Sequence, residues 1–373
     1  MPRLLLLTHC YPCNVHDVSG RFLLPLVRRL VQSGVDVVVC TPQWQAAALP
    51  QGFVGERVIS FPWSGERLGR LSPWRPDHWW RLICLIHRWR RVVRWQLQQG
   101  LQIDAAIAAW GIPAGCVLRT LGLAEIPRAV WWLGTDIRQV NRRLAWPFLY
   151  WLGRGGMQHW ANSQRNGSLL TQQTGWNVRF VALGAEGETT SACLPNTTSR
   201  RRTIVSIGRL ERVKGFDVAI QAVQKLLDNG VSIDYVIIGD GAERSALEAL
   251  SRRSFPCIRL LGQLDQTACM AELSKAAAVM ISSRSEGMPL VFFEALQAGK
   301  PVIATDVGDI RECIGNSHLG AVSPSEDIES LAENLAKVLD GRVRFDAERA
   351  ATITAMYALD RTMEQVLRLL CSS

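Results

Sequence analysis

Short runs of β-branched and aliphatic residues recur through the second half of this 373-residue chain, each followed by a helical pattern. They are Thr203-Ile204-Val205-Ser206-Ile207, Tyr235-Val236-Ile237-Ile238, Ile258-Arg259-Leu260-Leu261, Val279-Met280-Ile281 and Pro301-Val302-Ile303-Ala304. Strands apolar on both sides need cover on both faces, which crossover helices supply in a parallel sheet. The first half repeats the pattern less cleanly, with strands expected over Arg3 to Thr8, Val35 to Thr41, Arg57 to Phe61, Asp104 to Ala109 and Ala129 to Leu133. The length suits two cores better than one, so the expected fold class is α/β with two doubly wound parallel-sheet domains. Residues 1–190 would form the first and 203–345 the second, with 346–373 a C-terminal helix packing back toward the first. The polar stretch Ser191 to Arg202, which contains Pro195, is the expected linker. Open sheets bind ligands beyond the carboxyl ends of their strands, so a cleft between the domains is the expected site.

Composition narrows the classes. No apolar run reaches the roughly 18 residues of a membrane span, and Leu4-Leu5-Leu6-Leu7 stops at Thr8-His9, which reads as a buried first strand. Ten scattered cysteines form no disulfide framework, as in a reducing compartment. Cys10-Tyr11-Pro12-Cys13 has redox spacing, but the rest of the chain lacks that fold's layout, and no second pair or histidine pair makes a zinc site. Charge is uneven: residues 1–176 hold twenty Arg, no Lys and eight acidic residues, and all fourteen tryptophans. The first domain therefore faces something anionic and amphipathic, and the second something else.

Ile207-Gly208-Arg209-Leu210 leaves a strand, and Lys214-Gly215-Phe216 follows where a helix begins. Two cations at a strand end can neutralise a diphosphate; taken alone, they read rather as a pair of solvated loop charges. Ser285-Glu286-Gly287-Met288-Pro289-Leu290 follows another strand and opens a helix that reaches Glu294. Pro289 suits a first helical turn, and free N–H groups around Gly287 to Leu290 can bind a phosphate or sugar hydroxyl. Glu286 and Glu294 can accept from sugar hydroxyls; Glu294, among Val291, Phe292, Phe293, Ala295 and Leu296, is hard to explain as a surface ion pair. Gly239-Asp240-Gly241 lacks the third glycine of a dinucleotide fingerprint, and no Gly-Lys-Ser/Thr loop occurs.

Arg209 and Lys214, the Gly239-Asp240-Gly241 turn, Gly262 after the next strand, and Glu286 with Glu294 in EGMPLVFFEALQAGKPVIAT resemble the retaining, nucleotide-sugar-dependent glycosyltransferases of GT-B architecture, group 1. The resemblance covers residues 203 to about 313 and implies two Rossmann-like domains facing a cleft. In the first half it is looser. Tyr11-Pro12 with Ser19-Gly20-Arg21-Phe22 is similar to the family's glycine loop, with one glycine where two are common, and Trp110-Gly111-Ile112-Pro113-Ala114-Gly115 and Leu133-Gly134-Thr135-Asp136 match further patterns. Leu133 stands where many members have histidine.

The resemblance implies sugar transfer with retention, the donor's β-phosphate helping to deprotonate the acceptor. Arg209 and Lys214 would stabilise the leaving diphosphate and Glu294 would hold the ribose. Glu286, with Gly287, Met288, Pro289 and Leu290, would position the donor sugar, and Gly20, Gly239 and Gly241 would approach the donor. Asp136 would hold the sugar or the acceptor hydroxyl, or cap a helix before Ile137. The donor would be a UDP- or GDP-sugar. No Asp-x-Asp motif occurs, so no metal or other cofactor is expected. The alternatives are a sugar-nucleotide epimerase of the same architecture, and a catalytically silent binding protein, which Leu133 raises.

Trp79 to Leu97 reads as one helix with Leu82, Ile86, Trp89 and Val93 on an apolar stripe and Arg81, Arg88, Arg91 and Arg94 nearer the opposite face. It is either an anchor on an anionic membrane or a core helix with a solvated basic face. A second aromatic, basic stretch, Arg142 to Trp151, favours the membrane; no nucleic-acid motif accompanies the charge. The expectation is a cytoplasmic enzyme at the inner membrane face, using a glycan or lipid-linked acceptor in cell-surface polysaccharide or glycolipid assembly.

Overall fold

The computed structural model describes residues 1–14, 17, 20–43, 52–63, 76–134, 136–137, 146–185, 202–315, 319–343 and 345–371; of residues 76, 77 and 146–148 it describes the backbone. Residues 191–201 of the expected linker, and residues 142–145, lie outside these. The chain divides into two compact units, Met1–Gly184 with Ala358–Ser373, and Ala185–Tyr357.

Unit 1 is built on seven strands: β1 (Arg3–Thr8), β2 (Asp36–Gln43), β3 (Arg57–Pro62), β4 (Ala105–Ala109), β5 (Arg128–Trp132), β6 (Gln158–Ala161) and β7 (Val178–Phe180). They form one parallel sheet in the order β3-β2-β1-β4-β5-β6-β7. Leu5 pairs with Val38 and Ala106, and Leu4 with Val37 and Ala105. Because side chains alternate along a strand, the two sets go to opposite faces. Leu5, Leu7, Val38, Cys40, Ala106, Val130 and Trp132 enter a core with residues of the Pro76–Gln98, Cys116–Thr120, Trp146–Gly153 and Gln164–Thr174 helices. Leu4, Leu6, Val37, Ile107 and Trp131 enter the other, closed by the Leu24–Gln32 and Leu359–Leu370 helices.

In the Pro76–Gln98 helix the fully buried line is Leu85, Trp89 and Val93, while Leu82 and Ile86 flank it half-buried. The helix is therefore rotated slightly from the expected stripe. Among the described residues no helix is long and apolar enough to cross a membrane.

Unit 2 carries β8 (Arg202–Ile207), β9 (Ile233–Ile238), β10 (Ile258–Gly262), β11 (Ala278–Ile281), β12 (Val302–Thr305) and β13 (Gly320–Ser323). The order is β10-β9-β8-β11-β12-β13, again parallel. Ile204, Tyr235, Ile237, Met280 and Ile303 form one core with the Phe216–Asp228 and Ile328–Leu339 helices.

The segment 346–373, expected as one helix, is two. Ala347–Met356 belongs to unit 2 and Leu359–Leu370 to unit 1, with the division between Tyr357 and Ala358. Within unit 1 the returning helix is fixed by Thr362 Oγ1 donating to the Ala182 carbonyl at 3.1 Å and by an Arg29–Asp360 ion pair at 2.5 Å.

Candidate active site

The strand ends of unit 2 meet through glycines. Gly239 follows β9 with φ 144°, and a Cβ there would lie 1.9 Å from the Gly208 carbonyl oxygen. A Cβ on Gly241 would lie 2.5 Å from the Leu210 oxygen. The turns after β8 and β9 stack through Gly208 N–H to Ile238 O at 3.0 Å and Leu210 N–H to Asp240 O at 2.9 Å. These glycines are needed because backbone lies against backbone, which any side chain would block.

On that platform, Arg212–Lys214 makes one 3₁₀ turn, and Gly215, with φ 64°, opens the Phe216–Asp228 helix. A Cβ on Gly215 would lie 2.1 Å from the Ser282 oxygen, so this turn also sits directly against the end of β11. Lys214 Nζ is 2.5 Å from Glu286 Oε1, and Ser283 Oγ donates to the same oxygen at 2.8 Å. Arg209 stands apart. Its side chain is 57% exposed and pairs with its neighbour Glu211 at 2.7 Å.

Arg284 locks this arrangement, and sequence reasoning missed it. Its N–H donates to Val213 O at 2.7 Å, its Nη1 to Arg212 O at 2.6 Å, and its fork grips both Asp217 oxygens at 2.8 Å while also pairing with Glu326. The Arg284 hydrogen bond holds the Asp217 carboxyl below its ordinary range, and Asp217 and Glu326 together raise the guanidinium. Ser282 Oγ adds a bond to Lys214 O at 3.0 Å. Lys214 and Glu286, 72 positions apart, thus meet because the loops that carry them are fastened together.

Gly287, Met288 and Pro289 are buried. Pro289 is the N-cap of the Leu290–Gln297 helix, one step before the first-turn place expected for it, and no side chain caps that end. Helix geometry leaves the leading N–H groups without intrahelical acceptors. Gly308 has φ 55°, and a Cβ there would meet the Gly287 oxygen at 1.6 Å, so the turn after β12 supports this loop. Glu294 projects from the helix half-buried, and burial raises its carboxyl above the ordinary range. Among the described residues it has no hydrogen-bond or ion-pair partner.

The first-domain candidates lie in unit 1. Gly20, with φ 73°, sits where a Cβ would be 2.0 Å from the Cys10 oxygen, folding the loop after β1 onto itself; Ser19 lies outside the described residues. Asp136 is engaged by backbone. It is 3% exposed, and both carboxylate oxygens accept backbone N–H groups: Gly111 at 2.8 Å, Gly134 at 3.0 Å and Ile137 at 3.1 Å. Burial pushes it up to about 6 against the lowering by those donors. It staples the Trp110-Gly111 turn to the loop after β5. Trp110 has φ 75°, a strained conformation for an aromatic residue, and its ring lies 4.3 Å from that of His9. Leu133, half-buried, packs on the second core. No disulfide joins the described cysteines, and among the described residues no three His, Cys, Asp or Glu side chains form a metal-binding group.

Two doubly wound parallel-sheet α/β units, with this cluster at the strand ends of the second, define the GT-B architecture. Residues 195–356 match the family model for glycosyl transferases group 1. The glycogen synthase of Mycobacterium tuberculosis is 32% identical over 291 residues, covering 74% of this chain and 63% of that relative, less than two thirds of its length. Sucrose-phosphate synthase from Thermosynechococcus elongatus superposes with a TM-score of 0.77 at 16% identity, covering 100% of this chain and 99% of that one. Anabaena HepE in complex with UDP-glucose gives 0.71 at 16% identity, with both chains fully covered. Through residues 195–356 the chain belongs to the group 1 glycosyl transferases.

Proposed function

We propose that this protein transfers a sugar, with retention of anomeric configuration, from a nucleotide diphosphate donor to a glycan or lipid-linked acceptor in cell-surface polysaccharide or glycolipid assembly. The observation that carries the reading is the pairing of Lys214 with Glu286 beside the start of the Leu290–Gln297 helix, which no side chain caps, with Glu294, unpartnered among the described residues, on that helix. Lys214 and Arg209 neutralise the charge that builds on the leaving diphosphate. Backbone N–H groups from Gly287 to Leu290 take phosphate or sugar oxygens. Glu294 accepts from the ribose hydroxyls, which its lack of a partner among the described residues suits. Glu286, shared with Lys214 and Ser283, orients the sugar. Asp136 acts by shaping the Trp110-Gly111 turn.

A UDP- or GDP-sugar is the donor; the UDP-glucose held by HepE favours the first. Cationic side chains serve in place of a divalent ion, and the enzyme works in the cytoplasm, at the inner face of the membrane. Titration calorimetry with UDP-, GDP- and ADP-sugars in EDTA tests the reading. Selective binding that Glu294→Ala abolishes is the expected result, followed by NMR of the product anomer once an acceptor is found. No binding of any nucleotide sugar by the wild-type protein would overturn it, and binding without transfer to any acceptor would favour the silent protein.

A further inference from the structure

We infer that the helical layer over one sheet face of unit 1 is a docking surface for an anionic lipid bilayer, held by exposed tryptophans set among arginines. The Pro76–Gln98, Cys116–Thr120 and Trp146–Gly153 helices share one core on that face, through Leu85, Trp89, Val117, Leu118, Leu149 and Leu152. They are also joined directly. Arg90 Nε and Arg94 Nη2 each donate to the Thr120 carbonyl at 3.2 Å, and the Arg119 guanidinium lies 5.6 Å from the Trp151 ring centre. The layer is therefore one continuous element whose outer side faces away from the sheet.

That outer side combines two properties. Trp80 is 67% exposed, Ile83 48%, Trp95 56% and Tyr150 59%, with Trp151 also exposed. Apart from Met1, these five are the exposed large apolar side chains among the described residues of unit 1. Trp80, Ile83, His87, Arg91 and Trp95 follow helical spacing, so they form one stripe, with Arg81, Arg88 and Arg94 exposed beside it. Arg154 stacks 4.3 Å over Tyr150. After Asp77, none of the three helices contains an acidic residue. A face of one charge sign with aromatic rings standing out of it fits the headgroup layer of an anionic bilayer, where rings enter the interface and guanidinium groups meet phosphates. A nucleic acid or acidic protein would be served by the arginines alone. The purpose of the surface, access to a lipid-linked acceptor, rests on the proposed function; the surface itself does not.

The test sediments the full chain with vesicles of phosphatidylcholine alone and of phosphatidylcholine mixed with phosphatidylglycerol. Binding is expected to the mixed vesicles only, and to weaken roughly tenfold or more from low to high salt. Both a Trp80→Ser/Trp95→Ser variant and an Arg81→Gln/Arg88→Gln/Arg91→Gln variant should lose most of it, while nucleotide-sugar titration of both stays as in wild type. Wild-type protein left in the supernatant, equal binding to both vesicle types, or full binding by the tryptophan variant would each overturn the inference. A chain that binds these vesicles but no nucleotide sugar would leave the surface standing and remove the proposed function instead.

Discussion

The ammonium of Lys214 and the carboxylate of Glu286 lie 2.5 Å apart, with side chains 22% and 15% exposed. A pair this sheltered loses more when one member is removed than when both are. Lys214→Met should cost about 3 kcal/mol of stability and roughly 100-fold in turnover. Adding Glu286→Gln should recover most of the melting temperature and none of the activity. Calorimetric melting together with steady-state rates would check both halves.

Glu294 presents the opposite case, a half-buried carboxylate with no hydrogen-bond or ion-pair partner among the described residues. Glu294→Gln should leave stability unchanged or slightly raised, because burial disfavours the charge. Nucleotide-sugar affinity should fall roughly 10- to 100-fold, the loss of about 1.5 to 3 kcal/mol for hydrogen bonds to a charged acceptor. Titration calorimetry with parallel melting curves reads this out; an unchanged affinity removes Glu294 from the site.

Arg284 touches no candidate ligand position, yet it fixes the segment carrying Lys214 through Asp217, Glu326 and two carbonyls. Arg284→Lys keeps the charge but loses the fork, so it should still cost about 2 kcal/mol and lower kcat more than it raises KM. Melting temperature and the separate kinetic constants would show it.

His159 is buried, stacks on Trp176 with ring centres 4.0 Å apart, and accepts from Trp132 Nε1 through Nδ1 at 3.3 Å. Burial lowers its pKa from 6.5 to about 4. The unfolded chain therefore takes up this proton first as pH falls. The contribution is whole above pH 6.5 and is lost on acidification toward about 4, amounting to about 3 kcal/mol. His159→Phe should be less stable than wild type at pH 7 and show a shallower loss across that window in pH-resolved urea denaturation.

The strands most legible in the sequence were those buried on both faces, such as Ile204 to Ile207 and Tyr235 to Ile238, where nearly continuous apolar runs leave little choice. Three others were not. Gln158–Ala161 opens with two polar residues, and the donor to His159 Nδ1, Trp132, is brought to it only by the fold, while the edge strands Val178–Phe180 and Gly320–Ser323 are short and only partly buried. At the site, the order of Arg209, Lys214, Glu286 and Glu294 was readable from motif spacing. The direction each group faces was not. A carboxylate after a glycine can point at a ligand or at three backbone N–H groups, and Asp136 does the second. The Arg284–Asp217 brace spans 67 positions and leaves no local pattern.

Unit 1 closes its second sheet face with Leu359, Met363, Val366 and Leu369, which follow the whole of unit 2 in the chain. During synthesis, residues 185–357 are therefore complete as a continuous unit while Leu26, Val27, Leu30 and Trp131 still lack the helix that covers them. The sheet of unit 1 is begun before unit 2 and covered after it, so a chain cut short within Leu359–Leu370 carries a whole second unit attached to an unsealed first one.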